Sequence, residues 1–533
     1  MSVRPLDSAG LEVLWTRLVS IADEAAAALV RTSFSTVVRE SHDFSCVLTD
    51  AQGRSIAQAT DSIPSFISTL PRTVRHFLRE FPPQTLVSGD VLVTNDPWMG
   101  TGHLPDICVA KPVFLDGDLL GFAASTAHAP DIGGRIRSPE AREIFEEGLQ
   151  IPIMKLLSAG RPDETLLKIL ARNVRTPELT GGDLWAQVTA LGLMESRLVA
   201  LAREYGMTSL ETLSQEIRGR TEVAMRGAVR TIPDGRYAAA LETDGIDEPL
   251  RIELALTIAD DRAEFDFTGT SPQVDRAINL PLCYTEAMSA YAIKCVAAPA
   301  VPNNGGSLGP VTVRAPERCL VNPAYPAPVA SRALTGHFIP SLALAALAQV
   351  IPERVMAMAG SPLWSITQWG VDEAGKPFSN LFFFNGGMGA TAAGDGESCM
   401  SWPSNISSTP TEVMEKLSPL RVLHRRLVPG SGGAGRHRGG LGQEIRILNT
   451  SPTPTAVFLS AERTRVPARG IGGGKAGATG AVEINGEPVE PKIQHLLQPG
   501  DVVTLRTPGG GGHGPPGERD PGAKARDRSL GYT

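Results

Sequence analysis

The sequence is poor in cysteine and has no excess of positive charge. Its 533 residues include only six cysteines, and no two of them form a Cys-x-x-Cys pair. This spacing argues against a disulfide framework and a thiolate metal site, and is typical of scattered core residues in a reducing compartment. The chain carries 50 Lys and Arg residues against 57 Asp and Glu residues. We therefore expect no nucleic-acid partner, because phosphate backbones select basic surfaces.

The sequence also lacks a long apolar run. No stretch of 18 apolar residues occurs, and the N-terminal amphipathic segment is interrupted by Asp23 and Glu24. A membrane helix and a secretory leader each need an uninterrupted apolar run. These absences predict a cytoplasmic protein that does not contact a membrane.

Nucleotide-binding and serine-hydrolase motifs are incomplete. The segment 472–475 reads Gly-Gly-Gly-Lys but continues with Ala476 instead of Ser or Thr, so it fails the P-loop pattern. A Gly-x-Gly-x-x-Gly in the glycine-rich segment 430–440 has no strand-to-helix setting, and we interpret it as a turn-rich loop. The Gly-x-Ser-x-Gly at 305–309 runs straight into Pro310. This chain is therefore not expected to bind ATP itself or to use a serine nucleophile.

Apolar periodicity predicts a mixed α/β (α+β) fold with several domains. Helical spacing covers residues 9–33, 164–173, 184–205, 210–231 and 339–350, and short apolar runs at 45–49, 90–94, 107–114 and 119–124 are typical of strands. With 55 glycines and 42 prolines, turns must be frequent. We predict an N-terminal α/β metal-site region with a helical segment at 1–235, a mixed α/β middle region at 236–427, a glycine-rich all-β unit at 428–514 and a frayed tail at 515–533.

Two similar polar motifs follow predicted strands. His103-Leu104-Pro105-Asp106 comes after the strand at 90–94, and His128-Ala129-Pro130-Asp131 comes after the strand at 119–124. Both repeat the pattern His-x-Pro-Asp. Two such motifs at neighbouring strand ends can converge on one point.

Imidazole and carboxylate groups are the ligands of zinc, manganese and iron(II), and an open coordination position leaves room for an activated water. His103, Asp106 and His128 are therefore candidate metal ligands. The alternative is that each aspartate caps a turn and each histidine is a hydrogen-bonded core residue. Asp131, Arg135 and Arg137 follow the second motif and are candidates to orient ligands or to bind an anionic substrate group.

Several ordered motifs extend over nearly the whole chain. They are Asp43-Phe44-Ser45-Cys46, Asn95-Asp96-Pro97, His103-Leu104-Pro105-Asp106, Ala127-His128, Asp131-Ile132-Gly133-Gly134, Gly148-Leu149-Gln150-Ile151-Pro152, Asn173-Val174-Arg175-Thr176-Pro177, Phe267-Thr268-Gly269-Thr270-Ser271, the segment 429–435 and the segment 507–512. In these motifs the chain resembles the hydantoinase B/oxoprolinase family. That family comprises the B-type subunits of ATP-dependent hydantoinases, 5-oxoprolinases and related carboxylases.

The resemblance implies a hetero-oligomer of two subunit types. A separate A-type subunit would bind ATP-Mg and phosphorylate the substrate, while the B-type chain would hold a divalent metal, either Zn²⁺, Mn²⁺ or Fe²⁺. Its ligands would fall on the positions of Asp43, His103, Asp106 and His128. Asp43 is added by the resemblance, because the charged cluster around it otherwise resembles a solvated turn.

The leading functional hypothesis is ATP-dependent opening of a cyclic amide such as a hydantoin or a 5-oxoproline-like lactam. An amide carbonyl is a poor electrophile because of resonance, and phosphorylation of its oxygen by the partner would activate it. Asp131 and Arg135 are predicted to support the ligands and the substrate. Two alternatives stay open: a component of an ATP-dependent ketone carboxylase, and a non-catalytic scaffold for the ATP-binding subunit.

Overall fold

A computed structural model describes residues 8–135, 137–372 and 375–533 of the chain. Its first part is a seven-stranded antiparallel sheet in the order β2-β1-β5-β4-β3-β6-β7, with helices on both faces. The elements of this part are α1 (Ser8–Thr32), α2 (Thr36–Arg39), β1 (Phe44–Asp50), β2 (Ser55–Gln58), α3 (Thr69–Glu80), β3 (Val91–Thr94), β4 (Asp106–Leu115), β5 (Asp118–His128), β6 (Met154–Ser158), β7 (Arg161–Pro162), α4 (Glu164–Asn173), α5 (Pro177–Glu204) and α6 (Glu211–Val229).

Helices α1 and α5 pack against each other and cover one face of this sheet. The stripe predicted for α1 is fully buried there, from Leu11 through Leu18 to Leu29. Helix α3 covers the opposite face with Leu70 and Phe77. Because the central strands are buried on both faces, they read as continuous apolar runs without strict alternation. Burial of each large aliphatic side chain contributes about 1.5–3 kcal/mol to the free energy of folding. The helices therefore hold the sheet that carries the site firmly in place.

The middle part is a four-stranded sheet in the order β11-β10-β9-β8, packed against two buried helices. The stretch 251–267 forms two antiparallel strands that turn at Asp260, which has a positive φ of 53°. The elements are β8 (Gly235–Thr243), β9 (Leu250–Ala259), β10 (Arg262–Asp266), α7 (Leu282–Ala297), β11 (Val311–Arg314), α8 (Ala333–Gly336) and α9 (Phe338–Leu347).

The last part contains two further sheets, in the orders β13-β12-β16-β19 and β14-β15-β20-β17-β18, around a shared apolar core. Strands from both sides of residue 427 share the first of these sheets. The domain boundaries stay predictions. The elements are β12 (Trp364–Val371), β13 (Pro377–Phe384), α10 (Thr411–Leu417), β14 (Leu420–Leu427), β15 (Gln443–Asn449), β16 (Thr455–Ser460), β17 (Ala481–Ile484), β18 (Glu487–Pro488), β19 (Gln494–Leu497), β20 (Val502–Arg506) and α11 (Pro521–Ser529).

The glycine-rich segments are packed backbone against backbone and are not open loops. The Gly510 N–H donates to the Gly440 carbonyl at 3.0 Å, and the Gly440 N–H donates to the Met388 carbonyl at 2.8 Å. A Cβ atom on Gly440 would lie 1.9 Å from the carbonyl oxygen of Glu397. Glycine is required here because its missing side chain lets chain segments approach this closely.

The prediction of a frayed tail at 515–533 is wrong. Helix α11 occupies Pro521–Ser529, and its buried Asp527 accepts a hydrogen bond of 2.6 Å from Arg519. The Gly430 N–H donates to the Tyr532 carbonyl at 2.8 Å. The polar composition of this segment gives no sign that Arg519 and Asp527 form a buried ion pair. This pair fixes helix α11 to the rest of the chain.

The predicted class, a mixed α/β fold with several domains, is confirmed. The paired strands are antiparallel, except for β10 and β11, which run parallel. None of the helices in the described residues is long and apolar enough to cross a membrane.

Candidate metal centre

Antiparallel pairing brings three of the predicted ligands to one edge of the first sheet. Strand β4 begins at Asp106 and strand β5 ends at His128, and these two residues lie directly opposite each other. Strand β1 begins at Phe44, opposite Ala127, so Asp43 stands beside the same edge. The backbone N–H of His128 donates to the Asp43 carbonyl at 3.0 Å. The strand ends converge because neighbouring antiparallel strands begin and end at the same edge.

The fourth residue, His103, lies on the loop between β3 and β4. The side-chain amide of Asn95 anchors this loop by donating to the Leu104 carbonyl at 2.8 Å. Gly102 has a φ of 100°, and a Cβ atom there would lie 2.7 Å from the side chain of Arg332. Glycine therefore both allows the turn and admits the arginine beside the site.

The side chains of His103, Asp106 and His128 form a buried cluster, each at most 2% exposed. Asp106 Oδ1 lies 2.9 Å from His103 Nε2 and 3.0 Å from His128 Nδ1. One potential ligand atom from each of the three residues falls within 4.8 Å of the others. Asp43 is also buried, and its Oδ2 lies 3.9 Å from His128 Nδ1.

The orientation of His103 fits a metal ligand. Its Nδ1 lies 2.9 Å from the Ala330 carbonyl, which can only accept a hydrogen bond, so Nδ1 carries the proton and the lone pair is on Nε2. The buried Nε2 lies 2.9 Å from Asp106 Oδ1, but both atoms are acceptors in this tautomer, so Nε2 makes no hydrogen bond among the described residues. An unsatisfied buried acceptor is costly, and a cation held between His103, Asp106 and His128 would satisfy it. Two imidazoles with carboxylates suit zinc, manganese or iron(II).

The electrostatics of the cluster favour the protonation states that ligands need. Burial and the positive charge of Arg332 lower the pKa of His103 to about 3, so this imidazole is neutral. Burial opposes ionisation of Asp106, but the charge of Arg332 and the hydrogen bond from His128 outweigh it and hold the pKa of Asp106 well below its usual range. Arg332 donates to Asp106 Oδ2 at 2.7 Å and to the Thr101 carbonyl at 2.7 Å. Thr101 donates to the same carboxylate oxygen.

The pKa of Asp43 shifts in the opposite direction to that of Asp106. Burial raises the pKa of Asp43, and the nearby negative charge of Asp106 raises it further. Without a cation, the cluster thus favours ionisation of Asp106 more than ionisation of Asp43. A divalent cation reverses this preference because it attracts both carboxylates.

A small cavity of about 30 Å³ opens beside the cluster. It holds about two water-sized groups, which is room for an ion and the reacting end of a substrate. Its lining residues are Asp43, Ile63, Ser65, Phe66, His103, Arg137, Tyr284, Arg332, Ala333, His337, Leu363, Ser404 and Ile406.

Sequence reasoning missed the side of the cavity built by Tyr284, Arg332 and His337. Arg332 acts on Asp106 from 226 residues away. Its guanidinium also lies over the Tyr284 ring, 4.5 Å from the centroid. Burial lowers the pKa of His337 to about 3, so this side chain is neutral. No local motif marks these residues, because only the packing of the middle part onto the sheet brings them to the site.

The structure does not bring Asp131 and Arg135 to the cavity. Asp131 is buried and accepts hydrogen bonds from the Gly133 backbone at 2.9 Å and from the Arg175 side chain at 3.1 Å. Arg135 is largely exposed and pairs with Glu146 at 2.8 Å. Their predicted catalytic roles stay predictions. Arg137, two residues further on, does line the cavity.

The cysteines are all free, and Cys46 is buried. Burial raises the pKa of the Cys46 thiol to about 12, so it is not a reactive nucleophile.

The fold and this cluster define a mixed α/β protein with a candidate metal centre at the edge of an antiparallel sheet. The chain belongs to the hydantoinase B/oxoprolinase family, whose model matches residues 7–516.

Relatives cover almost the whole chain. A protein described as a D-/L-hydantoinase B-type component, from Pseudomonas sp. (strain NS671), is 29% identical over 97% of this chain and 92% of its own length. The beta subunit of the Pseudomonas jessenii caprolactamase is 30% identical over 96% of this chain and 91% of its own length. The 5-oxoprolinase 1 of Arabidopsis thaliana is 31% identical over 95% of this chain, which spans only 42% of that longer protein.

Two solved structures share the fold. The ATP-dependent caprolactamase from Pseudomonas jessenii matches 99% of this chain and 95% of its own with a TM-score of 0.91 and 28% identity. Nucleotide-free acetone carboxylase matches 98% of this chain and 78% of its own with a TM-score of 0.89 and 19% identity. At 19% identity, the second match establishes the fold alone.

Proposed function

We propose that this chain is the B-type subunit of an ATP-dependent cyclic amidohydrolase. In this proposal an A-type partner binds ATP-Mg and phosphorylates a hydantoin or lactam, and this chain completes the ring opening. Membership in the family and the named hydantoinase and caprolactamase relatives support the reaction class. The names of those relatives, each one component of a larger enzyme, support a hetero-oligomer.

The observation that carries the proposal is the buried cluster of His103, Asp106 and His128. The Nε2 lone pair of neutral His103 lies against Asp106 Oδ1 and makes no hydrogen bond among the described residues. Together with Asp43, these residues would hold a divalent cation. Such a cation, when bound, supplies Lewis-acid stabilisation of charge that develops on a carbonyl or phosphoryl oxygen.

The residues of the chain would prepare the site in three ways. The Ala330 carbonyl fixes the orientation of His103. Arg332 keeps Asp106 ionised and in place. The surrounding apolar side chains, including Phe66 and Leu363, exclude bulk water and so strengthen electrostatic interactions with the reacting group.

The proposal also includes a division of labour between subunits. The sequence has no complete P-loop, and activation of the amide requires phosphoryl transfer, so ATP chemistry is assigned to the partner. We further propose a cytoplasmic location, which the six free cysteines support.

The test measures turnover and metal content together. The chain is purified with its A-type partner and assayed for ATP-dependent opening of hydantoin, 5-oxoproline and caprolactam. We expect near-stoichiometric zinc, manganese or iron, and a loss of metal and of more than about 100-fold in activity in His103→Ala/His128→Ala. His424→Ala, a part-exposed histidine outside the cavity, is the control that should keep both.

Three results would contradict the proposal. Full turnover after metal removal would exclude a metal-dependent reaction. Turnover that survives His103→Ala/His128→Ala in a folded protein would favour a scaffold. Incorporation of labelled bicarbonate into a ketone would assign the chain to a carboxylase instead.

A further inference from the structure

Arg137 is a buried cation without a counter-ion in contact. Its side chain lines the metal cavity and is 8% exposed. Among the described residues, no carboxylate oxygen lies within 4.0 Å of its guanidinium nitrogens, and its buried Nε has no hydrogen-bond partner. Its ring contact is with Phe383, whose centroid lies 5.5 Å from the guanidinium carbon. Arg332, in the same cavity, contrasts with this because it contacts both Asp106 and Thr101.

A buried guanidinium without a counter-ion destabilises the folded state unless a ligand accepts hydrogen bonds from its N–H groups. Burial lowers the pKa of Arg137, and the nearby charge of Asp43 opposes this effect. Guanidinium stays protonated in proteins, so the desolvated charge needs a partner. An Arg without a protein acceptor, pointing into a cavity, has donors free for a ligand.

The backbone of Arg137 is also strained. Its φ is 51°, a left-handed conformation that costs a residue with a Cβ atom free energy. Ser331 holds it there by donating to the Arg137 carbonyl at 2.6 Å. Strain of this kind persists where the surroundings enforce it, and it clusters at ligand-binding sites.

The charges in the cavity indicate the sign of the ligand. When a bound cation keeps both carboxylates ionised, Asp43 and the adjacent Asp106 balance Arg137 and Arg332. The other polar lining residues, such as Tyr284 and neutral His337, add no charge. A divalent cation held by the proposed ligands would leave two uncompensated positive charges in a buried site. The group that enters this site must therefore be anionic.

We propose that Arg137 is the anion-binding residue of the cavity, where its guanidinium fork receives the anionic oxygens of the reacting substrate. Guanidinium matches phosphoryl and carboxylate groups through paired N–H donors. This inference rests on the proposed function for the source of the anion. That source is either the phosphoryl group of the activated amide or the carboxylate formed when the ring opens.

The test is anion binding by the full chain loaded with zinc or manganese. Isothermal titration with inorganic phosphate and, separately, with formate distinguishes the two sources. We expect wild type to bind at least one anion, and Arg137→Met to bind it about tenfold or more weakly with unchanged metal content. Arg137→Lys keeps the charge and should recover part of the affinity. Arg142→Met, an exposed arginine of the same segment, is the matched control and should bind like wild type.

A second measurement covers the case in which Arg137→Met does not fold. The same anion should raise the melting temperature of metal-loaded wild type, because it binds only the native state. The inference is overturned if neither anion binds wild type, or if folded Arg137→Met binds as tightly as wild type. Anion binding that depends on Arg137 in a protein without amide turnover would retain this inference and reject the proposed function.

Discussion

The two sides of the metal cavity have different origins. One side is an edge of the first sheet and carries Asp43, His103, Asp106 and His128, all within the first 130 residues. The other side, which we call the cap, is formed by Tyr284, Arg332, His337, Leu363, Ser404 and Ile406. The sheet edge supplies the candidate ligands, while the cap supplies a cation and most of the enclosure.

Strand register and tertiary packing determine different properties of the site: register sets the positions of the candidate ligands, and packing sets their charge and tautomer. Register alone places Asp106 against His128, because the two residues are paired neighbours in a hairpin. Register cannot set the charge of Asp106 or the tautomer of His103. Those depend on Arg332 and on the Ala330 carbonyl, both of which arrive with the cap.

The largest effect should come from separating Asp106 and Arg332, the ion pair that joins the two sides. Asp106→Asn leaves a buried arginine unpaired, and Arg332→Met leaves a buried carboxylate without its cation. Each change should lower the free energy of unfolding by about 3–5 kcal/mol. The double variant should lose less than the sum, with a coupling of about 1–3 kcal/mol, as measured by urea unfolding.

If the losses of unfolding free energy in Asp106→Asn and Arg332→Met add up in the double variant, the two sides of the cavity are energetically independent. Arg17→Met provides the matched control. Its exposed pair with Glu204 also bridges distant elements, but an exposed ion pair contributes only about 0–1 kcal/mol.

A second contact between the two sides is sensitive to pH. Glu147 is buried and accepts hydrogen bonds from the backbone N–H groups of Val329 and Ala330, next to the carbonyl that orients His103. Burial raises the pKa of Glu147 to about 8 despite these bonds. The folded state thus keeps a proton that the unfolded chain releases near pH 4.5. This contribution to stability is complete below about pH 4.5 and is lost as the pH rises towards 8.

Glu147→Gln should remove that part of the pH dependence. Its amide oxygen can still accept from Val329 and Ala330, but it has no proton to lose. Between about pH 4.5 and 8, wild type should lose on the order of 2–4 kcal/mol at this group, while the variant stays level. Glu143→Gln, an exposed glutamate of the same segment, should retain the wild-type slope. Equal slopes for wild type and Glu147→Gln would exclude an elevated pKa.

Much of the sheet side was predictable from the sequence. Helix α1, helix α4 and the strands β3 to β5 match their predicted spans to within a few residues, because their apolar periodicity reflects direct burial. The structure brings His103, Asp106 and His128 of the two His-x-Pro-Asp motifs together, and their role as metal ligands stays a prediction. The resemblance was needed to add Asp43, whose sequence neighbours are typical of a solvated turn.

The cap was not predictable, since its contacts connect residues far apart in the chain. Arg332 lies in a segment without charge patterning, and its role follows only from contact with Asp106. The motif of Asp131 repeats that of Asp106, yet the structure does not bring Asp131 to the cavity. Asp131 instead binds Gly133 and Arg175, because identical spacing does not fix which way the chain turns after the strand.

The smallest expected effects test the glycine-rich part, where sequence reasoning predicted loops. Gly440→Ala places a Cβ atom 1.9 Å from the Glu397 carbonyl oxygen, and neither backbone can move without breaking its hydrogen bonds. We expect a loss of about 1–3 kcal/mol, measured as a lower urea midpoint. Gly227→Ala on helix α6 meets no atom within 4 Å and should instead stabilise by about 0.5–1 kcal/mol. If Gly440→Ala is as harmless as Gly227→Ala, the glycine-rich segments are flexible loops after all, and only the sheet edge and its cap form a rigid frame.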